Sequence, residues 1–105
     1  MGEWTLLTNH ARVLVCIAHD PGVRLRDIAA ILGITERRVF GIVTDLTTAG
    51  YVLKDKDGRR NRYRIQVHVP FRKGPGREQT IGELLTVLVD TKTRGELRHS
   101  VEAIA

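Results

Sequence analysis

The side chains best suited to chemistry in this sequence are a set of clustered cations and one thiol. Arg37 and Arg38 are adjacent within a segment of helical pattern. An arginine fork fits the two acceptors on the major-groove edge of guanine as well as it fits a phosphate. Further along, Lys54, Lys56, Arg59, Arg60 and Arg62 crowd around the turn signal Asp57-Gly58, with Asn61 among them. From Val52 to Arg77 nine Lys or Arg stand against two Asp, a local surplus of +7 in a chain of net charge +5, which leaves −2 for the remainder. So concentrated an excess, in a chain of pI about 10.0, reads as a contact surface for a polyanion. Alone, a basic hairpin is equally a solvated edge that guards against strand pairing.

Cys16 and His19 form a C-x-x-H pair on one side of a helix. A structural zinc site takes about four ligands and a catalytic one about three from the protein, whereas His10, His68 and His99 are scattered. No metal or other cofactor is therefore expected. Flanked by Val15 and Ile17, Cys16 reads as a small buried hydrophobe, with redox sensing through an intersubunit disulfide as the rival. A single cysteine forms no internal disulfide and fits a reducing, cytoplasmic setting. No nucleophile motif, phosphate-cradling glycine loop or useful pair of His or carboxylates occurs, so the chain is not expected to be an enzyme. With no run of about eighteen apolar residues and no signal-peptide pattern at the N-terminus, neither a membrane span nor a signal peptide is expected.

These residues must be positioned by a single small fold, because 105 residues, 42% of them hydrophobic, support one core and not two. Thr8 or Asn9 can cap a first helix over about 9–19, with Leu14, Ile17 and Ala18 on one face. Asp20-Pro21-Gly22 breaks it. A second helix, about 25–32, turns Ile28, Ile31 and Leu32 inward and ends at Gly33. Thr35 caps a third, running to about Thr48, with Val39, Ile42, Val43 and Leu46 as its apolar stripe; Gly50 stops it. Two β-like runs follow, 51–54 and 62–69, with Val52, Tyr63, Ile65, Val67 and Val69 on a buried face, joined through the Asp-Gly signal. Pro70 and Lys73-Gly74-Pro75-Gly76 read as a linker. Thr80-Ile81-Gly82-Glu83 reads as a capping box opening a fourth helix to about Val89, and 93–105 carries a fifth helical pattern on Leu97, Val101 and Ile104. The expected organisation is a domain over 1–70, a linker over 71–79 and a helical segment over 80–105.

The most specific pattern lies between Leu25 and Thr44. Apolar Ile28, Leu32, Ile34, Val39 and Ile42 fall where two helices cross, Ala29 is small where they approach, and Gly33 follows four residues later, as a helix-turn-helix requires. With Ala49-Gly50-Tyr51-Val52 and Gly58-Arg59-Arg60-Asn61-Arg62-Tyr63 after it, the stretch from about His10 to Val69 resembles the winged helix regulators of the MarR and ArsR type.

That resemblance implies an α+β, mostly helical fold: a three-helix core, a β-hairpin wing and one or two C-terminal helices. It implies a transcriptional regulator that binds double-stranded DNA sequence-specifically as a homodimer. The recognition helix would present Thr35, Glu36, Arg37, Arg38, Phe40, Gly41 and Thr44 to the major groove. The wing would bring Lys54, Lys56, Arg59, Arg60, Asn61 and Arg62 to the minor groove or to phosphates. Gly41 departs from the MarR-like pattern, which commonly has a polar or basic side chain there. Phe40 either touches a thymine methyl or packs against the first helix, and packing is favoured. Leu84, Leu85, Val87, Leu88 and Val89 cover more than one face of the fourth helix, which calls for a partner subunit. Trp4, Leu7, Leu84, Leu85 and Leu88 are the expected dimer contacts, and a pocket for a small-molecule effector beside Trp4, Leu6 and Leu7 is the alternative use of that end. Two rival functions remain: a winged helix module that docks on proteins, and a metal- or thiol-responsive repressor working through Cys16.

Overall fold

Helices form where apolar residues recur at three- and four-residue spacing, and each starts or stops at a residue able to satisfy free backbone groups. A computed structural model describes residues 6–70 and 79–89. Helix α1 (Asn9–His19) is capped by Thr8, whose hydroxyl accepts the Ala11 N–H at 3.2 Å, and it buries Val13, Leu14, Ile17 and Ala18. After it the Asp20 carboxylate accepts the Gly22 N–H at 3.1 Å, closing a local turn. Helix α2 (Leu25–Leu32) buries Ile28, Ala29 and Leu32.

At its end Gly33 takes φ +72°, so that the Gly33 and Ile34 N–H groups both reach the Ala29 carbonyl, at 2.8 and 3.1 Å. A side chain at Gly33 would be strained in that left-handed conformation. The expectation that Ile31 points inward is corrected, because it is 66% exposed. At about 100° per residue the stripe centres between Ile28, Ala29 and Leu32, and Ile31 falls roughly 110° away from that centre. Small Ala29, rather than Ile31, faces the neighbouring helix.

Helix α3 (Glu36–Thr48) begins at Thr35, whose hydroxyl accepts the Arg38 N–H at 3.1 Å. Its buried residues are Val39, Ile42, Val43 and Leu46. Its end is closed by paired bonds from the Gly50 N–H to Thr47 O (3.1 Å) and from the Tyr51 N–H to Leu46 O (3.0 Å).

The chain then enters an antiparallel hairpin of β1 (Val52–Asp57) and β2 (Arg60–Ile65), in register from Val52↔Ile65 to Asp57↔Arg60. β1 runs beyond the apolar stretch, and β2 begins earlier and ends earlier than the alternation predicts. Backbone pairing needs no apolar side chain, so the ladder continues until only Gly58 and Arg59 remain to turn the chain. Gly58, at φ +67°, occupies the first central position, where a two-residue turn of type II′ demands positive φ. The Asp-Gly signal is thus displaced by one residue, with Asp57 paired in the ladder instead of sitting in the turn. The free edge of β2 is covered where the Tyr63 N–H donates to Pro21 O at 2.9 Å.

Helix α4 (Ile81–Leu88) opens with the expected capping box. The Thr80 hydroxyl accepts the Glu83 N–H at 3.2 Å, and the Glu83 carboxylate accepts the Thr80 N–H at 3.1 Å. Bonds from the Ile81 N–H to Val69 O (2.8 Å) and from the Gly82 N–H to Val67 O (2.6 Å) dock its first turn behind the hairpin. Ile81, Leu85 and Val89 are 1%, 1% and 3% exposed and join the core built by α1, α2, α3, Val52 and Tyr63. Leu85 therefore faces its own subunit, correcting the expectation that it meets a partner: an α4 laid against α1 spends its most apolar line inside. The result is the α+β, mostly helical winged helix arrangement. Residues 71–78 of the expected 71–79 linker, the expected fifth helix over 93–105 and Trp4 lie outside the described residues.

Candidate nucleic-acid interface

Helix α3 sets out the first part of the site. With Val39, Ile42, Val43 and Leu46 turned in, the helical repeat puts Arg37, Gly41, Thr44 and Thr48 along the outermost line. Glu36 and Phe40 flank that line on one side, and Arg38 and Asp45 on the other. All eight are exposed, as is the capping Thr35. Arg37 and Arg38 make no hydrogen bond or ion pair among the described residues. On that flank His10 donates through Nε2 to Asp45 Oδ2 at 2.8 Å.

The favoured packing of Phe40 against α1 is not found, because the residue is 58% exposed. α3 meets α1 through its buried stripe, which Phe40 lies outside. At Gly41 an added Cβ would meet nothing within 4 Å, so that position contributes open backbone to the outer line.

The hairpin supplies the second part. Register and pleat place Lys54 and Lys56 on the face of Tyr63 and Asn61, and Arg60, Arg62 and Arg64 on the other. Lys54, Lys56, Arg59 and Arg62 are exposed. Arg59, at the turn, has no partner among the described residues. Arg60 is also exposed, but its guanidinium donates to the Gly22 carbonyl and so pins the wing to the α1–α2 turn. Arg64, the charge not included in the expected set, pairs with Asp55 across the strands at 3.0 Å.

Asn61 is half-buried on the Tyr63 face of β2; burial pushes the Tyr63 phenol up, with Asn61 pulling the other way.

A cleft of about 370 Å³ joins the two parts. It is lined by Glu36 of α3, by Arg59, Arg60, Asn61 and Tyr63 of the hairpin, and by the segment 22–26. Arg24 and Arg26 are exposed there, two cations that the sequence reading passed over. The signal available was an Arg-x-Arg pair straddling the start of α2, next to backbone N–H groups that no side chain caps.

The other candidates gather elsewhere. Cys16 is half-buried and lines an apolar cleft of about 460 Å³ with Val15, His19, Asp20, Val23, Asp27 and Ile31. Burial pushes its thiol up, with the Arg12 guanidinium pulling the other way. The reactive thiolate is thereby disfavoured at neutral pH. His19 donates through Nδ1 to Val15 O at 2.9 Å. Among the described residues no three His, Cys, Asp or Glu stand close enough to hold a metal ion. Leu7, Leu84 and Leu88 are half-buried, while Leu6 and Val87 are 89% and 75% exposed. No helix among the described residues is long and apolar enough to cross a membrane.

A helix-turn-helix whose second helix turns an arginine-bearing face outward, followed by a basic hairpin, defines a winged helix protein of the nucleic-acid-binding kind. The MarR family model matches residues 4–60, more than half of the chain, spanning α1, α2, α3, β1 and the hairpin turn. The chain belongs to the MarR family and is a DNA-binding transcriptional regulator, in a family of regulators rather than enzymes. No curated protein matches it.

Proposed function

We propose that this regulator binds double-stranded DNA sequence-specifically as a homodimer, with α3 in the major groove and the hairpin against the adjacent minor groove or phosphates. The observation that carries this reading is the shared cleft: Glu36 at the start of α3 and the wing arginines Arg59 and Arg60 border one space, with Arg24 and Arg26 beside them. One duplex surface then meets the outer line of α3, the wing tip and the start of α2 together. Within it Arg37, central on α3, reaches base edges. Arg38, on the flank, reaches the backbone, as do Arg59, Lys54, Lys56 and Arg62. Two copies related by a two-fold axis would read half-sites about one helical turn apart.

The test is the salt dependence of binding to a random-sequence duplex, measured beside the mass in solution. Counterion release gives log K against log[salt] a slope near −0.9 per neutralised phosphate, so a steep slope with the mass of two chains is expected. Arg59→Ala should flatten the slope by about one unit per subunit, about two for the homodimer. A flat response would instead favour a protein-docking module and leave the basic hairpin as a solvated edge.

A further inference from the structure

Phe40 is an unexplained exposed aromatic on α3. It is 58% exposed, although an aromatic left in water forgoes the stabilisation that burial brings. By the helical repeat it stands about 60° from Arg37 and about 40° from Thr44 around the helix. The Thr44 hydroxyl donates to the Phe40 carbonyl at 2.9 Å, so its methyl is the group left to face outward. Gly41 adds no side chain, and nothing stands within 4 Å of where its Cβ would be.

Between Arg37 and Thr48, the outward side of α3 thus presents a guanidinium fork and then Phe40, Gly41 and Thr44, a stretch with few free side-chain donors or acceptors. Glu36, one turn before Phe40 and exposed, suits a base edge, where cytosine offers a donor, better than it suits a phosphate. In the major groove the apolar feature that marks one base pair is the 5-methyl of thymine.

We propose that Phe40 is a specificity-determining residue that reads thymine methyl groups, with the Thr44 methyl and bare Gly41 allowing the close approach. The preferred half-site then pairs a guanine contacted by Arg37 with thymine on its Phe40 side. Three residues advance about 4.5 Å along the helix axis against about 3.4 Å per base along a strand, which puts the first such thymine about one step away. This inference rests on the DNA-binding reading above, and the following experiment separates the two.

The full chain is used to select from a randomised duplex pool. Each thymine of the enriched site is then replaced in turn by deoxyuridine, which removes only the 5-methyl. For the unmodified protein we expect about fourfold weaker binding at one or two thymines beside a G·C pair, the effect of withdrawing one buried methyl. Phe40→Ala should bind the thymine and deoxyuridine duplexes equally and keep the salt slope. Indifference of the unmodified protein to every replacement, an enriched site without thymine, or undiminished sensitivity in Phe40→Ala would overturn the proposal while steep salt dependence leaves DNA binding standing. Weak, salt-insensitive binding to all duplexes would overturn both.

Discussion

Arg37 and Arg38 are neighbours in sequence but not in role, since one helical step of about 100° separates them. With Val39, Ile42, Val43 and Leu46 buried, Arg37 lies opposite the core and Arg38 a quarter turn aside. A helix seated in the major groove offers its outermost line to base edges and its flanks to the phosphate walls. We therefore expect Arg37→Ala to reduce the preference for a selected site over random DNA by roughly 5- to 150-fold, the worth of one bidentate base contact at about 1–3 kcal/mol. Arg38→Ala should weaken both duplexes by a similar factor and flatten the salt slope by about one per subunit, about two for the homodimer. Titrations of both variants against selected and random duplexes at several salt concentrations check this, and the reverse assignment would mean that α3 is rotated in the groove. Arg60 obeys a different logic, because its bond to the Gly22 carbonyl makes it part of the wing's anchorage.

Among the elements, three helices were legible because each carries redundant signals, although the uncapped start of α2 carries no cap signal. Thr35, the stripe of Val39, Ile42, Val43 and Leu46, and the closing Gly50 all mark the same helix. The Thr80 and Glu83 capping box was equally legible, since its two residues act on each other across one turn. What escaped the sequence depends on partners that periodicity cannot see. The hairpin's length is set by pairing, not by hydrophobicity, and Ile31 is outward because Ala29 permits a close helix crossing. Asn61 stands among arginines in sequence, yet the pleat turns it to the half-buried Tyr63 face while Arg60 and Arg62 face the other way. Arg24 and Arg26 were missed because the site depends on α2 and the hairpin meeting across a cleft. Gly41 shows the cost of the outer line to its own helix. A mid-helix glycine is about 0.5–1 kcal/mol less favourable than alanine, and an added Cβ meets nothing within 4 Å. Gly41→Ala should therefore raise the urea midpoint by an amount corresponding to about 0.5–1 kcal/mol at unchanged m-value. No gain would mean that α3 is under a constraint other than helix propensity.

For the molecule as a whole, the open matter is how its apolar surface is shared between core and partner. The family match ends at Arg60, so α4 is understood from its own contacts. Ile81, Leu85 and Val89 complete the core, whereas Leu84 and Leu88 are half-buried and Val87 is exposed. A helix with one line sunk and the next half-covered can stabilise its own subunit through the first and meet a second copy through the other. The two lines then predict different failures. Leu85→Ala should cost about 2–5 kcal/mol in unfolding free energy, as removal of a buried leucine side chain does. If two copies associate through α4, Leu88→Asp should leave far-ultraviolet circular dichroism and the unfolding midpoint of the dilute single chain nearly unchanged while halving the mass seen by sedimentation. DNA affinity would fall with the loss of the second half-site, yet the salt dependence per subunit would persist. Were Leu88→Asp to stay paired, the shared surface would have to lie away from α4. Were it to unfold instead, Leu88 would belong with Leu85 in the subunit's own core, and the apolar excess of α4 would be fully accounted for within one chain.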